Sequence, residues 1–156
     1  MTDRGDWLFN ASMTLKWVTQ KSWPPIPKEK QETREYLQHI GDLYFDRFSN
    51  ASVLIPWGLP CTRIEGGLYT SGTLNQTTQN CDQVLPSTII VPYRRYVVEE
   101  ELGVVDVFVG FPELDRTQGK DPMPDSHMIR VEEHKIKYMH TAVSYTHLTL
   151  PTILRV

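Results

Sequence analysis

Two histidines carry the sharpest chemical signal in the sequence. Residues 126–132 and 135–143 are rich in residues that suit strands and flank Glu133-His134, so they read as a hairpin. A two-residue turn there sets Val131 opposite Ile136, Ile129 opposite Tyr138 and His127 opposite His140, with all six on one face. Directly opposed residues have Cβ atoms about 5 Å apart. Two imidazoles at that spacing can divide general-base and general-acid roles near neutral pH. The competing reading is that both histidines cap the open end of the hairpin and hydrogen-bond to backbone. A metal site needs a third ligand, and only Asp125 lies near in sequence, so no metal is assigned.

Other polar residues could serve the same chemistry. Tyr96 and Tyr138, one on each hairpin, could present hydroxyls to a substrate; alternatively they are core residues with one satisfied hydroxyl. Arg63 and Glu65 alternate beside Cys61, on the same side if that piece is extended. They are read either as binders of a polar ligand group or as a structural ion pair. Of Arg94-Arg95, neighbours on a strand, at most one can anchor a ligand carboxylate, and Arg95 is the candidate. Tyr69 could close over the site as a lid. Nucleophilic catalysis lacks support, because the chain has no Gly-x-Ser-x-Gly elbow. Gly66-Gly67 is not a phosphate loop, because no Gly-Lys-Ser/Thr follows it.

These residues need elements to position them. Residues 28–48 read as the best helix: Leu37, Ile40, Tyr44 and Phe48 recur at three- and four-residue steps, with Tyr36 and Leu43 widening the stripe. Gly41 interrupts that helix and marks close packing. Residues 51–92 read as irregular, with short strands at 52–55 and 88–91. Residues 93–100 and 104–111 form a second hairpin around Leu102-Gly103, in which Tyr96 faces Val109 and Val98 faces Val107. Residues 7–23 carry Trp7, Trp17 and Trp23, too aromatic for a solvated tail, before the Pro24, Pro25 and Pro27 connector. One helix ahead of two long hairpins reads as α+β, with an antiparallel sheet curled around the helix and a pocket between them.

Cys61 and Cys81 have no neighbouring Cys or His at metal-ligand spacing. A bridge between them would close a polar, Gly-rich loop of about 20 residues and contribute roughly 3 kcal/mol in the chain-entropy model. Sequons stand at Asn10, Asn50 and Asn75. Cysteines and sequons together point to a secreted, N-glycosylated protein. Against this, Met1-Thr-Asp-Arg-Gly-Asp6 has no apolar signal core. Either the protein is cytoplasmic or its true start lies upstream. The 156 residues suit one domain, and 16 Lys and Arg against 19 Asp and Glu give a charge of −3, which argues against a nucleic-acid partner. No apolar run reaches the roughly 20 residues of a membrane span.

Several motifs fall in a recognisable order. Asp6-Trp-Leu-Phe-Asn10-Ala, Val53-Leu-Ile-Pro-Trp-Gly58 and Pro60-Cys-Thr-Arg-Ile-Glu-Gly-Gly67 are followed by Arg94-Arg-Tyr-Val-Val98, Asp125-Ser-His127, Arg130-Val-Glu132 and Lys135-Ile-Lys-Tyr-Met-His140-Thr. Over residues 6–142 this resembles the fungal family called domain of unknown function 8021, grouped with SnoaL-like folds. The resemblance implies a cone-shaped α+β fold like that of nuclear transport factor two, and often a secretory signal. It implies no particular reaction. Members are longer at the N-terminus, which makes this chain a candidate fragment. Residues 143–156 leave the pattern and resemble translated adapter read-through, so they are set aside, His147 included.

The expected organisation is an N-terminal aromatic segment and connector (1–27), a SnoaL-like α+β domain (28–142) and a non-native tail (143–156). The expected function is a cofactor-free dehydratase, isomerase or cyclase acting on an apolar oxygenated small molecule. His127 or His140 would move the proton, and Tyr96 or Tyr138 would polarise the substrate. The alternatives are a noncatalytic binding module of the same shape and an inactive gene fragment. Folds of this kind often form homodimers through the outer sheet face.

Overall fold

The computed structural model describes residues 10–69, 81–82, 85–112 and 123–143. Among these residues are two helices, α1 (Ala11–Val18) and α2 (Arg34–Asp46), and six strands. These are β1 (Trp57–Glu65), β2 (Leu68–Tyr69), β3 (Arg95–Glu99), β4 (Val104–Phe111), β5 (Met123–Glu132) and β6 (Lys135–Val143). The strands make one sheet in the order β2-β1-β6-β5-β4-β3. The α+β class expected from sequence holds. The sheet is mixed rather than antiparallel, because β1 runs parallel to β6.

The helix is shorter at both ends than the expected 28–48 span. Residues 28–30 form one 3-10 turn and Gln31 is extended. Thr33 then caps α2, its hydroxyl accepting from the Tyr36 amide at 3.2 Å. The buried face is Leu37, Ile40, Gly41, Tyr44 and Phe45. A Cβ on Gly41 would come within 2.7 Å of a Val107 methyl, so this glycine does mark a close approach of helix to sheet.

The stretch read as irregular holds β1, while residues 52–55 and 88–91 form no strand. Its Pro60, which has no N–H to give a ladder, sits where the pairing with β6 slips between Trp57 and Thr62. Cys61 and Cys81 form the disulfide, with Cα atoms 5.3 Å apart. Both are buried in the core against α2 and the strands. In the β3–β4 hairpin the loop is Glu100–Gly103, so Val98 pairs with Val105 and Tyr96 with Val107. Those partners lie two positions from the expected ones. A shift of two keeps the faces, so the apolar side survives. Gly103 takes φ +60, and a Cβ there would meet the Val131 carbonyl at 2.5 Å.

The β5–β6 hairpin decides where the histidines point. Glu133 and His134 both have positive φ (51 and 61), which two-residue hairpin turns require but non-glycine residues resist. The turn is pinned from α2's side. Buried Glu32 accepts from the His134 amide at 2.7 Å and lies 2.9 Å from its Nδ1, and Tyr36 donates to the His134 carbonyl. Exposed Glu133 has only a 4.0 Å approach to Lys30. Glu133→Asn should therefore stabilise the fold by roughly 1 kcal/mol, read as a higher urea midpoint at unchanged slope.

Val131 pairs with Ile136 as expected, but the ladder then slips between Val131 and Arg130, leaving Lys137 as an extra residue. Beyond the bulge Ile129 faces Met139, His127 faces Thr141 and His140 faces Met128. The expected His127–His140 and Ile129–Tyr138 pairs do not form. One inserted residue sends His140 and Tyr138 to the opposite face from His127. The inner face packs on α2. The outer face is partly covered by the N-terminal segment, where Trp17 stacks on Tyr69 at 4.8 Å and Trp23 meets Tyr138 edge-on at 4.6 Å. Tyr69 is thus buried beneath α1 and is not a lid.

Candidate functional site

The inner face of the sheet carries a polar cluster among apolar side chains. Strand alternation puts Asp125 and His127 on the same side of β5. The β6 register adds Thr141, and the β1 register adds Arg63 and Glu65. Helix α2 covers them with Tyr44 and Phe45, and Phe48 follows just past its end. The His127 ring lies 4.9 Å from Phe45 and 5.3 Å from Tyr44. All of these groups except Glu65 are buried.

Arg63 is the cation of the cluster. Its Nε and Nη2 reach Glu65 Oε2 at 3.0 and 2.9 Å, its Nη1 touches Met139 Sδ at 3.1 Å, and its guanidinium lies 5.7 Å from the Tyr44 ring centre. Asp125 Oδ2 lies 3.6 Å from His127 Nδ1, near but beyond a hydrogen bond. Asp125 Oδ1, His127 Nδ1 and Thr141 Oγ1 are buried without a hydrogen-bond partner among the described residues. Such atoms cost roughly 1–3 kcal/mol each, and their grouping needs a reason.

Burial sets the protonation states. It pushes the Asp125 carboxyl up to about 8, helped by the nearby Glu65 and opposed by the Ser126 amide and Arg63. Burial, followed by the charge of Arg63 and by His140, pushes His127 well below its ordinary value. At neutral pH the site therefore holds a protonated carboxylic acid beside a neutral imidazole. One can give a proton and the other can take one.

The other sequence candidates lie elsewhere. His140 is on the outer face, its Nε2 buried without a partner among the described residues. Tyr138 is also on the outer face, its hydroxyl pushed up by burial and by Tyr69. Tyr96 shares the inner face but lies on β3, three strands from β6. Its hydroxyl donates to Asp42 at 2.5 Å and is pushed up to about 12 by burial and that carboxylate. Arg95 is exposed on β3, at the far end of the sheet from Arg63, while its neighbour Arg94 pairs with Asp42 and Asp46 of α2 at 2.8 and 2.7 Å. Asn10 caps α1, accepting from the Met13 amide. Asn50 is exposed. Asn75 and the 143–156 tail beyond Val143 lie outside the described residues. Asp125, Tyr44 and Thr141 were missed as site residues. The two-residue spacing of Asp125 and His127 on a strand was the available signal. Among the described residues no three His, Cys, Asp or Glu gather as metal ligands.

No curated protein matches this chain. A family model described as domain of unknown function (DUF8021) matches residues 30–143. The match takes in α2, the disulfide-bearing strand and both hairpins, the elements that carry the whole polar cluster, and the chain belongs to this DUF8021 family.

Proposed function

We propose that the Asp125–His127 cluster is the centre of a cofactor-free lyase, isomerase or cyclase acting on a small oxygenated molecule of largely apolar body. The observation that carries the reading is the set of three buried, unpartnered polar atoms on Asp125, His127 and Thr141. A substrate oxygen would supply the missing partners. Neutral His127 would accept a proton from carbon, and protonated Asp125 would donate to the departing or rearranging oxygen. Arg63, held by Glu65, would stabilise negative charge as it develops on that oxygen. The aromatic rings of Tyr44, Phe45 and Phe48 would exclude water and hold the apolar body.

We also read the fold as the cone-like SnoaL-like type, the source as fungal and the protein as secreted, with glycans on its sequons. The disulfide supports an oxidising compartment, and no helix among the described residues is long and apolar enough to cross a membrane. A noncatalytic binding module is a second reading, favoured by the 3.6 Å gap between Asp125 and His127.

Native mass spectrometry of protein secreted from a fungal host should reveal a bound small molecule. That molecule, or its hydrated precursor, is then offered to wild type and to His127→Gln. An enzyme loses turnover by about 100-fold or more while retaining the ligand mass. Retention of ligand with no turnover by wild type would leave the binding module. Loss of Asn50 glycan mass on enzymatic deglycosylation would support secretion.

A further inference from the structure

A cleft lies on the opposite face of the sheet from His127, and the residue left over at the bulge, Lys137, is part of its lining. It lies between the connector at Ser22-Trp23 and strands β1, β5 and β6, and has a volume of about 250 Å³. Its walls include the Trp23 indole, Pro60 and the Tyr138 ring, and its polar groups include Lys21, Lys137 and Arg130.

The charges in this cleft do not cancel. Arg130 is buried and is matched by Glu132, whose Oε1 lies 2.6 Å from its Nε. Its Nη2 donates to the Pro24 carbonyl, which ties the connector down, and its buried Nη1 has no partner among the described residues. Lys21 donates to Thr62 Oγ1 at 2.9 Å and to the Tyr69 hydroxyl at 3.1 Å, and sits 5.2 Å from the Tyr138 ring centre. Lys137 donates to the Leu59 carbonyl at 3.3 Å. Neither lysine meets a carboxylate among the described residues. An ammonium has three donors, so each lysine keeps at least one for another acceptor. Lys137 is the residue that the bulge adds to β6, and it lines this cleft together with Tyr138.

We infer that this cleft binds a small organic carboxylate, its charged end on Lys21 and Lys137 and its apolar body against Trp23, Pro60 and Tyr138. Two uncompensated ammoniums select an anion. An indole and a phenol ring beside them favour a carboxylate with an apolar body over an inorganic ion.

The probe is benzoate, with neutral benzamide as its isostere, titrated into the full chain and followed by amide and indole NMR. Benzoate should shift the Trp23 indole N–H and the amides of Lys137 and Tyr138, and benzamide should leave them in place. Lys137→Gln should weaken benzoate by about tenfold, the loss of one charge-assisted hydrogen bond. Glu132→Gln removes the competing carboxylate and should tighten benzoate severalfold, so the inference is tested even if the lysine variant folds poorly. Equal shifts with benzamide, shifts spread over the whole surface, or unchanged affinity in Glu132→Gln would overturn it. Neither arm depends on the acid–base pair of the inner face.

Discussion

Between pH 6.5 and 8 the protein should lose about 2 kcal/mol of stability, and Asp125→Asn should remove that loss. The prediction follows from counting protons. The unfolded Asp125 titrates near 3.8 and the folded one at about 8. A raised folded value means that its contribution is fully present at low pH and is lost as pH rises from 3.8 to 8. The unfolded His127 titrates near 6.5 and the folded one well below it. A depressed histidine works the other way, and its contribution is lost as pH falls below 6.5. Just below 6.5 the folded pair keeps one proton on Asp125 while the unfolded pair keeps one on His127. The counts match, so the pair adds no slope there. Above 6.5 the unfolded pair is empty and the folded pair still holds its proton, so stability falls by roughly 1.4 kcal/mol per pH unit until Asp125 ionises.

In Asp125→Asn only the histidine remains. Stability should then climb up to pH 6.5 and stay level above it. The difference between the two proteins should grow steadily from pH 3.8 to 8, with the variant gaining throughout. Urea denaturation at about five pH values across this range measures both curves, and other titrating groups cancel in the difference. Parallel curves would show that Asp125 ionises like an exposed carboxylate, and the general-acid role would go with it. If the variant also loses turnover while gaining stability at alkaline pH, the buried carboxyl is maintained for chemistry at the expense of the fold.

The sequence made the scaffold legible where one local rule ruled alone. The stripe through Leu37, Ile40 and Tyr44 places the core face of α2, the β-rich runs place both hairpins, and the lone cysteine pair forms its bridge. The β3–β4 hairpin survived a wrong loop because its error was two residues, which preserves the faces. The β5–β6 hairpin did not survive, because its error was one. Nothing local to Lys137 marks it as a bulge. It coincides with the break in a partner strand far away in sequence, where Pro60 lies between the residues paired with Ile136 and Tyr138. That single residue turned the expected His127–His140 site into two unrelated surfaces. Strand β1 was hidden for a related reason. Pro60 and Gly58 argue locally against a strand, and pairing with β6 on one side and β2 on the other makes one. Asp125 was visible all along, since its spacing from His127 is the strand period. Burial, which keeps that carboxyl protonated at neutral pH, is a tertiary property.

Replacing Arg63 should cost about 3–5 kcal/mol for Arg63→Met, the penalty of breaking a buried ion pair. The guanidinium is buried at 3% exposure, and Met conserves much of its length but none of its charge. The loss falls on its partners. Glu65 is left with a carboxylate whose side chain is only 23% exposed, and Tyr44 loses the cation beside its ring. Since Glu65 still reaches some water, the lower half of that range is expected. The double variant Arg63→Met/Glu65→Leu removes both charges and should recover most of the loss, because an apolar pair of similar volume needs no compensation. The same substitution bears on the acid–base pair. Arg63 holds down both Asp125 and His127. Without it Asp125 keeps its proton to more alkaline pH, and His127 takes one more readily. The alkaline fall in stability should therefore continue beyond pH 8 in Arg63→Met, where wild type has levelled off. If Arg63 only fills space, Met should cost under about 1.5 kcal/mol and the alkaline limit should stay where it is. If it is the electrostatic anchor of the cluster, stability and titration should change together. An arginine that sets the proton affinity of Asp125 and His127 is already placed to stabilise the charge that the proposed proton transfer would create.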